Sequence, residues 1–351
     1  MVSSKALYYP TIDIHDEEWI KTAYLFWDEI RTIVPVSMKG MAYNNYTTQY
    51  LEDEGFLTPF YVRPESAIVK DLVSKVKKYA ETTEGKACLN QAVPYDVLYN
   101  PYSDERSEFY LHHEKLPLEI QELVGDKLGD DGWARVSDNF ANYYMTLLAN
   151  SIASQKSLSL ITGSAPLANL TTKYSEDTSQ HIYSHIRNNA SSMLCQTLLV
   201  TMVMDGIKIN PLTSIQDLKA FKQRHKDELN NFRNGLDEIT SFNTPDDIDL
   251  DGMTQYLKDI YDRKMLLAYN DLKASLRGSR INYLTEISSL CYTGITTTFL
   301  DGLTNMSTPQ QLLSGLGIYL AVKGIKEQRN KKMAKRTNKM SYLLSINNEL
   351  K

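Results

Sequence analysis

Residues 5–36, KALYYPTIDIHDEEWIKTAYLFWDEIRTIVPV, decide the fold class of this chain. Residues 5–9 predict a strand that stops at Pro10, because proline cannot donate to a sheet ladder. Residues 16–30 predict an amphipathic helix, with acids in the first turn and apolar residues at helical spacing. Residues 32–36 predict a second strand. The succession of strand, helix and strand predicts a parallel pair within an α/β layer.

The α/β pattern continues beyond this opening. Residues 56–62, FLTPFYV, predict another strand, and Pro64 predicts the start of a helix that reaches about residue 80. Residues 138–156 predict a helix that leads directly into a buried strand, LSLIT, at 158–162. We therefore expect an N-terminal α/β module over residues 1–205.

Residues 206–351 predict an all-α part. One helix is expected over 215–240, where seven residues share one helical face: Leu218, Phe221, His225, Leu229, Phe232, Leu236 and Ile239. A turn-rich segment follows, and a second long helix is expected to reach about residue 277. Two such helices with a short connection predict an antiparallel helical hairpin.

Composition places the chain among ordinary globular proteins. It has 351 residues, 42% of them apolar and 23% charged, which predicts two domains with a sizeable core. The three cysteines are far apart in sequence and form no CxxC motif, which argues against a disulfide framework or a cysteine-built zinc site. No signal-peptide pattern and no run of about 18 apolar residues occurs, so we expect a cytoplasmic protein.

Three segments carry a resemblance to a family of bacterial proteins of unknown function. They are ALYYP…WDEIRTIVP in the opening, YYMTLLANSIA…LSLITGSAP at 143–166, and DLKAFKQRHKDELNNFRNGL at 217–236. The resemblance implies an N-terminal α/β module followed by helices. It implies no catalytic residue.

The stretch from Asp138 through LSLIT resembles the third motif of PIN-type nucleases, in which an acid begins a helix and a second acid follows the strand. That resemblance implies carboxylates gathered around a divalent metal, with Asp13 and Glu29 as further members. Gly163 and Ser164 stand where the second acid is expected, which would weaken metal binding. The alternative is that Asp138 simply caps its helix.

Two other patterns suggest a metal site. Asp177, His181 and His185 are spaced by four residues and would share one face of a helix, as zinc ligands do, although no HExxH motif accompanies them. Residues 247–252 imitate the first half of a calcium loop, but Lys258 occupies the position that needs a bidentate glutamate. No cofactor is expected, and a divalent metal is the one ion these acids would suit.

The C-terminal region predicts an interaction surface. Residues 312–325, LLSGLGIYLAVKGI, are apolar and contain three glycines, and residues 323–339 hold eight bases against one acid. The residues expected to make contacts are Leu316, Tyr319, Val322, Lys331, Lys332, Lys335 and Arg336. We expect a homo-oligomer or a protein partner. The basic tail would also suit nucleic acid, and a membrane surface is the less favoured partner.

The sequence as a whole favours an interaction or assembly protein, and a role in stress or phage defence would fit. A metal-dependent nuclease with an incomplete acidic site, or a membrane-surface effector acting through 312–339, are the alternatives. His112 and His113 are candidates for the edge of a pocket, with no matching nucleophile evident. Walker A, GxGxxG and GxSxG motifs are absent, so ATP hydrolysis, Rossmann cofactors and serine-hydrolase chemistry lack support.

Overall fold

The computed structural model describes residues 4–90, 110–163, 197, 199–201, 203–204, 206–240, 259, 263, 265 and 338–351, and for 239 and 240 only the backbone. The strands of this part are β1 (Lys5–Tyr8), β2 (Glu29–Pro35), β3 (Leu57–Val62), β4 (Tyr110–His112), β5 (Trp133–Arg135) and β6 (Ser159–Ile161). The main helices are α1 (Glu17–Phe26), α2 (Tyr46–Asp53), α3 (Ala67–Lys70), α4 (Val73–Glu81), α5 (Thr83–Asn90), α6 (Leu118–Val124), α7 (Asp138–Lys156), α8 (Ile215–Arg224), α9 (Lys226–Thr240) and α10 (Ser341–Glu349).

The chain divides into two compact units. The α/β unit consists of Ser3–Ile20 and Trp27–Ala190, and the helical unit consists of Met1–Val2, Lys21–Phe26 and Ser191–Lys351. The last six residues of α1 therefore belong to the helical unit. The boundary at residue 205 that the sequence suggests stays a prediction.

A four-stranded parallel sheet organises the α/β unit, as the sequence predicts. Its strand order is β3-β2-β1-β6, and β4 and β5 form a separate antiparallel pair. In the main sheet Lys5 lies opposite Glu29, and Tyr8 lies opposite Thr32. Most positions of β2 are buried, which fits a strand covered on both faces.

Helix α7 covers one face of this sheet and contacts β1 and β6. It spans the residues predicted for it and is buried along nearly its whole length. Ser137 is its N-cap, and the Ser137 hydroxyl accepts a hydrogen bond from the amide of Phe140 at 3.3 Å. The idea that Asp138 caps this helix is therefore wrong, because Asp138 already occupies the first helical position and its carboxylate accepts from the adjacent Asn139 amide.

Two predicted helix boundaries are wrong. The first helix ends at Phe26 instead of Ile30, because Glu29 and Ile30 pair with Lys5 and Ala6 and so belong to β2. The helix expected to run from Pro64 to about residue 80 is instead two helices, α3 and α4, and the first begins at Ala67. In both places backbone pairing or a local turn overrides the apolar periodicity.

The predicted helix over 215–240 is divided at His225, which ends α8, and α9 begins at the next residue. Its apolar face is buried, and Phe232 is only 1% exposed. The Phe232 ring lies 5.8 Å from that of Phe26 and 6.5 Å from that of Tyr342, measured between centroids. The second helix of the predicted hairpin lies almost wholly outside the described residues.

No helix within the described ranges is long and apolar enough to cross a membrane.

Candidate functional site

The strand order of the parallel sheet creates a place where ligands commonly bind. The chain proceeds from β1 to β2 and β3 on one side of β1, whereas β6 pairs with its other side. In open α/β sheets a reversal of this kind leaves a crevice at the carboxyl ends of the strands. The loops that follow β1, β2 and β6 border this edge of the sheet.

The segment His112–Lys115 is held firmly in place by backbone hydrogen bonds. Its first residue ends β4, where His112 pairs with Trp133 of β5, and the next three residues form a short 3-10 helix. The amide of His113 donates to the carbonyl of Gly132 at 2.8 Å. Gly132 has φ +80°, and a Cβ there would lie 2.9 Å from the His113 ring, so only glycine fits beneath the two imidazoles.

A contact with β2 locates this segment at the carboxyl end of the main sheet. The Glu114 carboxylate accepts a hydrogen bond from the amide of Ser37 at 3.0 Å, and Ser37 lies two residues beyond the end of β2. The Gln121 side chain of α6 donates to the carbonyls of His113 and Leu116, at 3.1 and 2.8 Å. The segment therefore lies beside the edge where the strand order predicts a binding crevice.

Lys115 is the most unusual residue of the segment, because its side chain is almost completely buried, with 4% of the residue exposed. Within the described part of the chain, no hydrogen bond or ion pair joins its ammonium group to another residue. Burial alone lowers the pKa of Lys115 to about 7. The backbone is fixed, since the Tyr144 hydroxyl donates a hydrogen bond to the Lys115 carbonyl oxygen.

His112 is a second buried base in the same segment. Burial is the main reason that its pKa falls to about 4, and the neighbouring charges of His113 and Lys115 act in the same direction. Its Nδ1 accepts the amide proton of Glu114 at 3.2 Å, so the neutral ring carries its proton on Nε2. The ring packs edge-on against Trp133, at 4.9 Å between centroids.

Burial therefore favours the neutral forms of both groups. The lone pair of a neutral amine can accept a proton or attack an electrophile, whereas His112, with a pKa of about 4, is a weak proton acceptor. Perturbed basic groups of this kind concentrate in functional sites. Sequence reasoning noticed His112 and His113 but missed Lys115, because HHEKLPLE looks like an ordinary charged loop.

Asp13, the first of the three acids proposed for a nuclease site, follows β1 at the carboxyl edge of the sheet. Only 4% of the residue is exposed. Its Oδ1 accepts from the amide of Ile14 at 2.8 Å, and its Oδ2 accepts from the amide of Asn44 at 2.7 Å. Oδ1 is thus used within the loop after β1, and Oδ2 joins that loop to the loop before α2.

Glu29, the second acid, lies at the opposite end of the sheet, because it is the first residue of β2 and pairs with the first residue of β1. It accepts from Lys5 and Arg31, each at 2.6 Å, and from Thr58 at 3.1 Å. Burial alone would raise the pKa of Glu29, but these hydrogen bonds outweigh it and lower the pKa. Glu29 therefore does not share a site with Asp13.

Asp138, the third acid, is half-buried at the first residue of α7. No group of three or more histidine, cysteine or acidic residues that could hold a metal occurs within the described ranges. The three acids proposed for metal-dependent cleavage are therefore not brought together, since Asp13 and Glu29 stand at opposite ends of the parallel strands.

A polar group that sequence reasoning did not single out lies near Asp13. The Tyr43 hydroxyl and the Thr32 hydroxyl are 2.9 Å apart in the interior. Burial is the main reason that the pKa of Tyr43 rises, with smaller contributions from the charges of Glu52 and Asp13. Burial also raises the pKa of Glu52, and the negative charges of Asp53 and Asp13 raise it further. This group orders the β2–α2 connection, and its hydroxyls are occupied by each other.

The remaining site predictions fall outside the described residues. These are the zinc set Asp177, His181 and His185, the calcium-like loop at 247–252, and the interaction residues Leu316, Tyr319, Val322, Lys331, Lys332, Lys335 and Arg336.

Comparison of the chain with protein-family models, with curated proteins and with solved structures finds no match.

Proposed function

We propose that the α/β unit binds a small organic molecule where the segment His112–Lys115 meets the carboxyl end of the parallel sheet. The observation that carries this proposal is the burial of the Lys115 side chain without an acidic partner among the described residues. The binding unit is then an enzyme or a ligand sensor, and its ligand occupies the carboxyl edge of the sheet.

Stability alone does not account for a lysine in this environment. Burying an amine without a partner costs free energy, and a hydrophobic residue of similar size would pack without that cost. The neighbours in sequence and in the core, Leu111 and Leu116, are fully apolar and almost completely buried. A lysine among such residues is explained if its nitrogen binds a ligand.

The topology of the sheet supports the same location. The strand order reverses at β1, and in open α/β sheets ligands commonly bind at the carboxyl edge beside such a reversal. The contact between Glu114 and Ser37 brings the basic segment to this edge. The chemistry and the topology therefore point to one region of the α/β unit.

A ligand screen on the full chain tests the proposal. Thermal unfolding would be followed in the presence of small carboxylates, keto acids, aldehydes, sugar phosphates and nucleotides, each tested separately. A ligand present at 100 times its Kd should stabilise the native state by about 2.7 kcal/mol. The substitution Lys115→Met removes the amine and keeps an unbranched side chain that is one atom shorter, so it should abolish the stabilisation.

Lys77→Met is the matched control, since Lys77 is an exposed lysine on α4 and the chemical change is the same. It should leave every ligand-induced shift unchanged. Equal shifts in the Lys115→Met protein and the natural one would contradict the proposal.

We also propose the antiparallel helical hairpin predicted from the sequence as the architecture of the helical unit. The buried apolar face of α8 and α9 supports it, with Leu218, Phe221, Leu229, Phe232 and Leu236 almost fully covered. Part of this face packs on Phe26 and Tyr342, so the second hairpin helix would complete a layer that α10 already begins.

A further inference from the structure

We propose that the Nζ of Lys115 is a nucleophile that forms an imine with the carbonyl carbon of a small aldehyde or ketone. This inference rests on the function proposed above and names the chemical class of its ligand. It requires an amine that is held in an apolar setting, is not engaged by an acid, and lies at the binding edge of the sheet.

The surroundings of Lys115 meet the first requirement. The core on this face of the sheet includes Leu111, Leu116 and the ring of Tyr144, each at most 2% exposed. Among the described residues, the strong polar contact of Lys115 is made by its backbone, whose carbonyl accepts from Tyr144. An apolar setting of this kind favours the neutral amine over the ammonium ion.

The absence of an acidic partner among the described residues meets the second requirement. The nearest carboxylate in sequence, that of Glu114, is directed to the amide of Ser37 instead. Burial lowers the pKa of Lys115 to about 7, and no acid within the described ranges acts against it. About half of this amine is then neutral at pH 7, against about one in 2,500 for an ordinary lysine.

The bond changes balance without any further reactant. The nitrogen lone pair attacks the carbonyl carbon, a carbon–nitrogen bond forms, and the carbonyl π bond opens to a hydroxyl that takes a proton from the nitrogen. Loss of this hydroxyl with the second nitrogen proton releases one water and leaves the imine. An anionic ligand held by charge alone would instead need the ammonium form, which the apolar surroundings disfavour.

Trapping with borohydride tests this inference on the full chain. The protein would be incubated at pH 7 with acetaldehyde, a probe small enough for a nitrogen that is nearly buried, and then reduced with sodium cyanoborohydride. The reagent delivers hydride to the imine and leaves a stable ethylated lysine, which peptide mass spectrometry locates. Lys115 should be ethylated at least about tenfold faster than the exposed Lys77 and Lys78, because far more of its amine is neutral.

The pH profile separates a nucleophile from a merely accessible lysine. Ethylation of Lys115 should reach its plateau slightly above pH 7, whereas ethylation of Lys77 and Lys78 should continue to rise towards pH 10. Lys115→Met should lose the fast phase and keep the slow labelling of the exposed lysines. This variant is expected to fold, because methionine suits the apolar site better than an amine does.

The outcomes distinguish this inference from the proposed function. Labelling of Lys115 no faster than that of Lys77 would overturn the imine proposal. If ligand-induced stabilisation that depends on Lys115 were still found, the binding site would stand and only its carbonyl chemistry would be refuted. Loss of both effects would refute the site as well.

Discussion

At the scale of the residue, Lys115 carries the functional argument, because only 4% of the residue is exposed and no acid among the described residues pairs with its amine. Two neighbours show how local this effect is. Glu114, one position earlier, reaches the Ser37 amide, and Leu116, one position later, is completely buried. Within the short 3-10 helix, Lys115 is buried and Glu114 is partly exposed.

The first prediction concerns the stability of Lys115→Met as a function of pH. The folded-state pKa of about 7 lies below the ordinary value of about 10.4, so between these values the unfolded chain binds more protons and the stability of the natural protein rises with pH. Below pH 7 the full cost of burying the charge applies. Lys115→Met should therefore be more stable than the natural protein at pH 6, by about 1–4 kcal/mol.

That advantage should shrink as the pH approaches 10. Urea unfolding of both proteins at pH 6, 8 and 10 measures it, and Lys77→Met reports the effect of the same change at an exposed position. A Lys115→Met protein that is less stable than the natural one at pH 6 would show that the amine has a stabilising partner.

Asp13 provides the second prediction at this scale. Asp13→Ala removes the acceptor for the amides of Ile14 and Asn44, and the Ile14 residue is fully buried. A buried amide left without a partner costs about 1–3 kcal/mol, so the variant should lose at least that much in free energy of unfolding. Asp53→Ala is the control, because Asp53 is an exposed acid on α2.

Denaturant unfolding distinguishes this structural role from the catalytic one suggested by the sequence. A stable Asp13→Ala protein, within about 0.5 kcal/mol of the Asp53→Ala control, would contradict the role of Asp13 in joining the two loops.

At the scale of the element, the strands of the parallel sheet and helix α7 were predictable, whereas β4, β5 and the division of the predicted 215–240 helix at His225 were not. The parallel pairing of β1 and β2 follows from apolar strands on either side of an amphipathic helix, and α7 spans the predicted residues. Ile30 continues the helical spacing of apolar residues, yet it pairs with Ala6 in β2. A single apolar residue at the end of a segment fits the helical period and the strand period equally well, so the spacing alone does not decide between them.

The candidate site was less predictable than the fold, for a physical reason. Burial of a lysine depends on what packs around it, and the segment His112–Lys115 is held by Gly132, by Gln121 of α6 and by Tyr144 of α7, which come later in the chain. Conversely, Asp13 and Glu29 look alike in sequence as acids close to strands. Only the register shows that one follows β1 while the other begins β2.

Helix α9 provides the third prediction. Phe232→Ala should destabilise the protein by about 3–5 kcal/mol, since the ring is buried against Phe26 and Tyr342. Asn234→Ala, at an exposed position of the same helix, should change the stability by less than about 0.5 kcal/mol. Thermal unfolding of the two variants measures the difference, and similar melting temperatures would contradict the packing of the helical unit.

At the scale of the whole molecule, association through residues 312–325 stays a prediction. This apolar segment, with the basic residues of 323–339 after it, should be covered by protein, within the chain or across a homo-oligomer. Analytical ultracentrifugation gives the mass in solution, and sedimentation with anionic vesicles at low and high salt tests the membrane alternative. A monomer that pellets with vesicles only at low salt, and no longer does so without residues 323–339, would contradict the prediction that protein covers residues 312–325.

The central claim is that the α/β unit holds one amine in an apolar site at the edge of its sheet, and a direct titration tests it. Lysine labelled with ¹³C at the ε position would be incorporated, and the NMR resonances followed from pH 5 to pH 11. One lysine should titrate near pH 7, and its resonance should be missing from Lys115→Met. Titration of every lysine near the ordinary pKa of about 10.4, or a shifted resonance that persists in Lys115→Met, would contradict the account.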